Sequence, residues 1–170
     1  MSKIYTGIGS RKTPQPILEL MTHAAAKLAR SGWMLRSGGA AGADSAFERG
    51  CLLTSGRLEL YLPWQGFEQK TSSSGDPTPA AFALAKTIHP AWDRLSNGAR
   101  KLHARNCHQI LGADLQTPTH FVLCWTPSGN RSGGTGQALR LATLHNIIIF
   151  DLGVATIEQR LCTWLNALHN

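Results

Sequence analysis

Two short runs, Phe121-Val122-Leu123-Cys124-Trp125 and Ile147-Ile148-Ile149-Phe150, are apolar at every position. An alternating strand would leave one sheet face to water. An unbroken apolar strand must be covered on both faces, as in a parallel sheet between two helix layers. Parallel neighbours need long crossovers, so helices should separate the strands. The apolar spacing predicts strands over 3–8, 33–36, 58–62, 119–125 and 147–151. Helical patterns lie between them, over 16–31, 43–51, 79–88, 93–112, 137–145 and 156–168. In the first, Ile17, Leu20, Met21, Ala24 and Leu28 recur at helical intervals, Pro14 and Pro16 suit the first turn, and Gly32 closes it. Segment 65–79, which contains Ser72-Ser73-Ser74-Gly75-Asp76-Pro77, reads as a mobile loop. This alternation predicts a doubly wound, Rossmann-like α/β fold, with a mostly parallel sheet of about five strands and helices on both faces. No internal repeat interrupts it, and 1–170 is expected to be one domain.

Length and charge narrow the function classes. A chain of 170 residues can bury a proper core. Its longest uncharged apolar run, around His120 to Trp125, is far short of the roughly 20 residues that cross a bilayer, so no membrane partner is expected. Met1-Ser2-Lys3-Ile4-Tyr5 runs straight into a strand pattern without an export signal, and a cytoplasmic protein is expected. Cys51, Cys107, Cys124 and Cys162 stand singly, and no HExxH occurs, so neither disulfides, a metal nor another cofactor is expected. Seventeen Lys and Arg against ten Asp and Glu leave a formal charge of +7, which favours polyanionic partners.

Ligands of an open parallel sheet sit outside the carboxyl ends of its strands. Three loops expected there are rich in glycine: Gly7-Ile8-Gly9-Ser10-Arg11-Lys12-Thr13, Ser37-Gly38-Gly39-Ala40-Ala41-Gly42-Ala43-Asp44, and Ser128-Gly129-Asn130-Arg131-Ser132-Gly133-Gly134-Thr135-Gly136-Gln137. Glycine lets backbone N–H groups come close to an anion, and a following helix adds unpaired donors and a favourable dipole. Ser10, Ser37, Ser132 and Thr135 offer hydroxyls, while Arg11 and Arg131 offer charge-assisted contacts. A single turn of this kind often uses glycine only to reverse the chain. Three at one sheet edge point to a phosphate site. It is not an ordinary dinucleotide fingerprint, because Lys12 stands where GxGxxG needs its third glycine. Nor is it an NTPase loop, because Arg11 precedes Lys12-Thr13.

A second constellation, Arg94, Arg100, Lys101, His103, Arg105 and His108, lies ahead of the fourth strand. Lys101, Arg105 and His108 are spaced to share a helix face, which either meets a ligand or is a solvated basic face. Arg105-Asn106 begins where the pattern turns apolar at Ile110 and Leu111, so it can point toward the loops. Asn106 is a poor helix former, which indicates a specific hydrogen bond. Trp64, Phe67, Trp92 and Trp125 could stack on bases, worth about 1–3 kcal/mol each. Trp125, at the end of the fourth strand, is the best placed. Ordinary packing is the other role for Trp64 and Trp92.

In order along the chain, these motifs resemble the DprA/Smf-like and LOG-like (SLOG) superfamily of Rossmann-like nucleotide- and DNA-binding domains, over roughly Ile4 to Leu152. Gly9-Ser10-Arg11 looks like the first DprA turn, and Ser37-Gly38-Gly39-Ala40-Ala41-Gly42-Ala43-Asp44-Ser45-Ala46 is similar to an SGxAxGxDxxA stretch. Arg105-Asn106 falls where DprA proteins carry Arg-Asn and LOG enzymes Arg-Lys. Ser132-Gly133-Gly134-Thr135-Gly136 resembles the last phosphate-binding loop of both groups. The resemblance implies a nucleotide-phosphate site built from these turns, with Lys12, Asp44, Arg105 and Asn106. Nucleic-acid contacts are expected from Arg36, Lys101, Trp125 and Arg131.

The DprA side implies binding of single-stranded nucleic acid and its hand-over to a recombinase. The LOG side implies hydrolysis of the N-glycosidic bond of nucleoside 5′-monophosphates. LOG enzymes carry a glutamate pair just after the last loop, where this chain has Leu139 and Arg140. Neither can stabilise an oxocarbenium-like transition state or activate water. Asp44 is the remaining catalytic candidate, with helix capping as its alternative role. A module that senses or sequesters a small nucleotide is a third possibility. The closing helix carries Leu161, Trp164, Leu165 and Leu168, a stripe that either joins the core or pairs two copies as a homodimer.

Overall fold

Strands and helices alternate strictly in pairs along most of the chain. The structure, a computed structural model, describes residues 3–167. It runs β1 (Ile4–Gly9), α1 (Gln15–Arg30), β2 (Met34–Ser37), α2 (Ala43–Leu52), β3 (Leu58–Leu60), α3 (Pro79–Ile88), α4 (Asn97–Leu111), β4 (Phe121–Trp125), α5 (Gly133–Leu144), β5 (Ile148–Asp151) and α6 (Ala155–Ala167). Every strand pair is parallel, in the order β3-β2-β1-β4-β5. This is a doubly wound, Rossmann-like α/β fold. The order reverses between β1 and β4, whose chains leave toward opposite faces.

The unbroken apolar strand β4 has the expected cause, whereas β5, expected to be covered on both faces, lies at the sheet edge and leaves Ile148 61% exposed. Phe121 and Leu123 point with Tyr5 and Leu35 into a core closed by α1, α2 and α6. Val122 and Cys124 point with Ile8 into a second core under α3, α4 and α5. Alternate residues of one strand therefore fill two different interiors, each full burial of a leucine-sized side chain contributing roughly 1.5–3 kcal/mol. Leu161 and Leu165 of α6 are buried in the first core, and Trp164 meets Phe121 edge-on at 5.8 Å. The stripe thus turns inward over its described part, and Leu168 lies outside the described residues.

Three boundaries differ from expectation for identifiable reasons. The helix expected over 93–112 is divided: a 3-10 turn at Trp92–Arg94 precedes α4, which Ser96 opens by accepting the Ala99 N–H at 3.2 Å. Helix α5 starts at Gly133, so the glycines expected to form a loop occupy its first turn. Segment 65–79, expected to be mobile, is tied down in its first half. Phe67 is buried beside Leu60 and Leu62, and Lys70 reaches Glu48 of α2 at 2.7 Å. Among the described residues, no helix is long and apolar enough to cross a membrane.

Candidate functional site

Where β1 and β4 part company, a cleft of about 570 Å³ opens at their carboxyl ends. Gly9 at the end of β1 and Ser10, Arg11 and Lys12 after it form one wall, and Ser132 to Thr135 at the start of α5 form another. Leu102, Arg105, Asn106 and Gln109 of α4 supply the side between them, with Asp44 below and Trp125 at the rim. The polypeptide therefore brings the first and third glycine-rich turns and the Arg105-Asn106 pair to one cavity, at the switch point where open sheets take ligands.

The turn after β1 is held by its own side chains. Ser10 Oγ accepts the Lys12 N–H at 3.0 Å, and Thr13 Oγ1 donates to the Ser10 carbonyl at 2.7 Å. Arg11 and Lys12 are left exposed at the mouth. Arg11 lies 3.4 Å from Glu68 and over the Phe67 ring, whereas the Lys12 ammonium takes part in no ion pair among the described residues.

The second turn is occupied from within. Ser37 Oγ donates to Glu48 at 2.6 Å, and the Gly39 N–H donates to the same carboxylate oxygen at 3.1 Å. The Ala40 N–H donates to Asp44 at 3.3 Å. Ser37 and Gly39, expected to hold phosphate, thus already serve the chain's own carboxylates. Gly38 is needed for space, because a β-carbon there would coincide with the Arg105 guanidinium. Gly42, at φ +84°, lets this turn touch the first, since a β-carbon would stand 2.7 Å from Arg11 Cα.

The third turn is open. Ser132 does not cap α5, and the first helical bond runs from the Gly136 N–H to the Ser132 carbonyl at 3.1 Å. The N–H groups of Gly133, Gly134 and Thr135 precede that bond and have no partner within the helix. Gly133 and Gly134 are exposed, while Gly136 is buried against the Arg131 backbone. Asn106 Nδ2 donates to the Gly134 carbonyl at 3.0 Å and so fixes α5 against α4, the kind of bond its presence in a helix predicted.

Beneath the cleft lies a row of four charges. Arg105 and Asp44, both buried, approach to 3.6 Å, and Arg105 Nη1 also donates to the Gly38 carbonyl. Burial pushes the Asp44 carboxyl up to about 6, against the pull of Arg105. Burial likewise draws the Arg105 guanidinium below its ordinary value, partly opposed by Asp44. One helical turn on, Glu48 pairs with Lys70, which also donates to the Gly39 carbonyl at 2.9 Å. Sequence reasoning missed Glu48 and Lys70. The Asp44-to-Glu48 spacing on α2 was a usable signal for the first, but Lys70 sits in a loop without any.

Other expected contacts lie elsewhere. Arg36 is buried toward the amino ends of the strands, its Nε 2.7 Å from Glu59 and its Nη1 donating to the Thr117 carbonyl at 2.6 Å. Lys101 faces a groove between α3 and α4 with Phe82 and Trp92. His108 stacks on Tyr61 at 5.7 Å and accepts the Thr78 N–H at 3.2 Å, so the shared basic face is divided among three surroundings. Arg131 is exposed outside the cleft, near Thr143 Oγ1 at 3.5 Å. Of the aromatic candidates, Trp64 packs on Phe67 at 5.0 Å, Trp92 is buried under Arg100, and Trp125 reaches the cleft. Leu139 is buried in the second core.

The chain is similar in structure to DNA processing protein A (DprA) from Streptococcus pneumoniae, with a TM-score of 0.55 and 14% identity over 96% of this chain and 56% of that one. Against DNA processing protein A from Helicobacter pylori, described for its single-stranded DNA binding mode, the TM-score is 0.44 and the identity 15%, over 99% and 82% of the two chains. No family model and no curated protein matches the chain. The likeness is one of fold, which is DprA-like, and the chain spans just over half of the pneumococcal protein, at 56% of its length.

Proposed function

We propose that this chain binds single-stranded nucleic acid by seating a backbone phosphate at the amino end of α5, without making or breaking a covalent bond. The observation that carries this reading is the set of unpaired N–H groups at Gly133, Gly134 and Thr135, which opens on the cleft. Lys12 and Arg11 stand across the mouth, and Trp125 offers an aromatic face at the rim. The net charge of +7 suits a polyanion, and the DprA-like fold is shared with a DNA processing protein. On this reading the protein works in the cytoplasm as one domain and passes its strand to a recombinase. If two copies pair, they use a surface other than the buried Leu161 and Leu165.

Fluorescence anisotropy of a labelled single strand, repeated over a series of salt concentrations, tests this directly. Binding that weakens by roughly 0.7 log units per phosphate neutralised for each log unit of salt is expected. Absence of strand binding, or its displacement by low concentrations of nucleoside monophosphate, would turn the cleft into a small-nucleotide site.

One observation favours a second reading, a nucleoside monophosphate N-glycosidase. Asp44 lines the cleft with its carboxyl raised to about 6, a value suited to proton transfer near neutrality. Free base released from nucleoside monophosphates by the wild type but not by Asp44→Asn would support it.

A further inference from the structure

We infer that Gln109 reads a carbonyl oxygen of one nucleobase at the floor of the cleft, so that the site selects by base as well as by phosphate; this rests on the strand-binding reading above. Gln109 follows Arg105 by one helical turn on the same face of α4, and both line the cleft. Its backbone is fixed, because its carbonyl accepts Thr6 Oγ1 from the middle of β1 at 2.6 Å. The residue is 1% exposed, and its amide nitrogen is buried without a hydrogen-bond partner. Arg105 Nε, one turn above, is buried and unpartnered as well. Native interiors rarely leave such donors unpaired, because the group has lost water and gained nothing. Both belong to residues that line the cavity from one helix face, and the pair calls for an acceptor brought by a ligand.

The surroundings decide what kind of acceptor. Ile8, Leu102 and Ala138 make the adjoining walls apolar, which suits a flat heterocycle and not a hydrated phosphate. Phosphate has its own donors at the start of α5, beside the exposed mouth. A phosphate held there and a base turned inward toward Gln109 satisfy both sets of donors with a single nucleotide. The carboxamide also carries an acceptor, so a base edge with adjacent carbonyl and N–H matches it in both senses.

The test compares a short oligothymidylate with the same strand carrying difluorotoluene, a shape mimic of thymine without carbonyl oxygens, on wild type and Gln109→Leu. Wild type is expected to bind the thymine strand roughly tenfold more tightly than the mimic. Gln109→Leu should erase that difference while leaving the affinity for the mimic unchanged. Gln109→Met serves the same purpose should the leucine variant unfold. Equal binding of both strands by wild type, or a thymine preference that survives both substitutions, overturns the inference and leaves strand binding standing. If neither strand binds wild type, the strand-binding reading itself fails, and this inference fails with it.

Discussion

Arg105 donates through Nη1 to the carbonyl oxygen of Gly38 at a point where any β-carbon on residue 38 would occupy the same space. The glycine exists there for the arginine, and the arginine in turn neutralises Asp44 at 3.6 Å.

Gly38→Ala should therefore act through Arg105. The methyl group forces the guanidinium away, and Asp44 loses its counter-charge in a buried place. A loss of about 1–3 kcal/mol in denaturant unfolding is expected, together with weaker strand binding. Unfolding with an unchanged midpoint would show that the guanidinium has another place to go.

Asp44 gives the protein a pH signature. Its carboxyl titrates near 6 when folded, against 3.8 in an unconstrained chain, so the folded state holds the proton more tightly. Its contribution to stability is complete below about 3.8 and is lost as pH rises through about 6. Wild type should therefore lose stability relative to Asp44→Asn between those values. Parallel chemical denaturation of the two proteins across that range measures the difference.

Lys12 and Arg36 should separate binding from folding. Lys12→Ala removes an exposed cation at the cleft mouth and should lower the salt slope of strand binding by roughly 0.7 without moving the melting temperature. Arg36→Ala strands Glu59 and the Thr117 carbonyl, costing about 1–3 kcal/mol of stability while strand affinity is kept. Calorimetric melting and anisotropy on the same preparations distinguish the two patterns.

Lys70 should behave as the anchor of its segment. Lys70→Met leaves the Glu48 carboxylate buried without its cation, and a loss of about 3–5 kcal/mol is expected, with faster amide exchange over 65–73. Adding Glu48→Gln should restore part of that loss, because the uncompensated charge is then gone.

Much of the architecture was legible because it depends on local pattern. Phe121 to Trp125 had to be covered on both faces, and the parallel sheet with two cores followed. The meeting of the first and third turns with Arg105-Asn106 was legible too, since strand ends in such a sheet share one edge. What the pattern did not carry was partnership at a distance. Arg36 looked like any cation near a glycine turn, yet Glu59 on the neighbouring strand claims it. Ser37 and Gly39 had the chemistry of phosphate donors, yet Glu48, on the next helix, takes both. Lys70 gave no local hint of being fixed, because its partners arrive from α2 and from the second turn. Gln109 passed for an ordinary helix residue, and its lack of a partner is visible only once its neighbours are in place.

The second glycine-rich turn, closed over Glu48 and Asp44, amounts to an anion cradle with a permanent tenant. Because that tenant belongs to the chain, added salt cannot compete it away, and the scaffold should stand while a bound strand is washed off. On the strand-binding reading, residues at the mouth can then change how tightly a strand is gripped without asking the rest of the molecule to be rebuilt. A surface of this kind is open to adjustment, by natural variation or by engineering, one cation at a time.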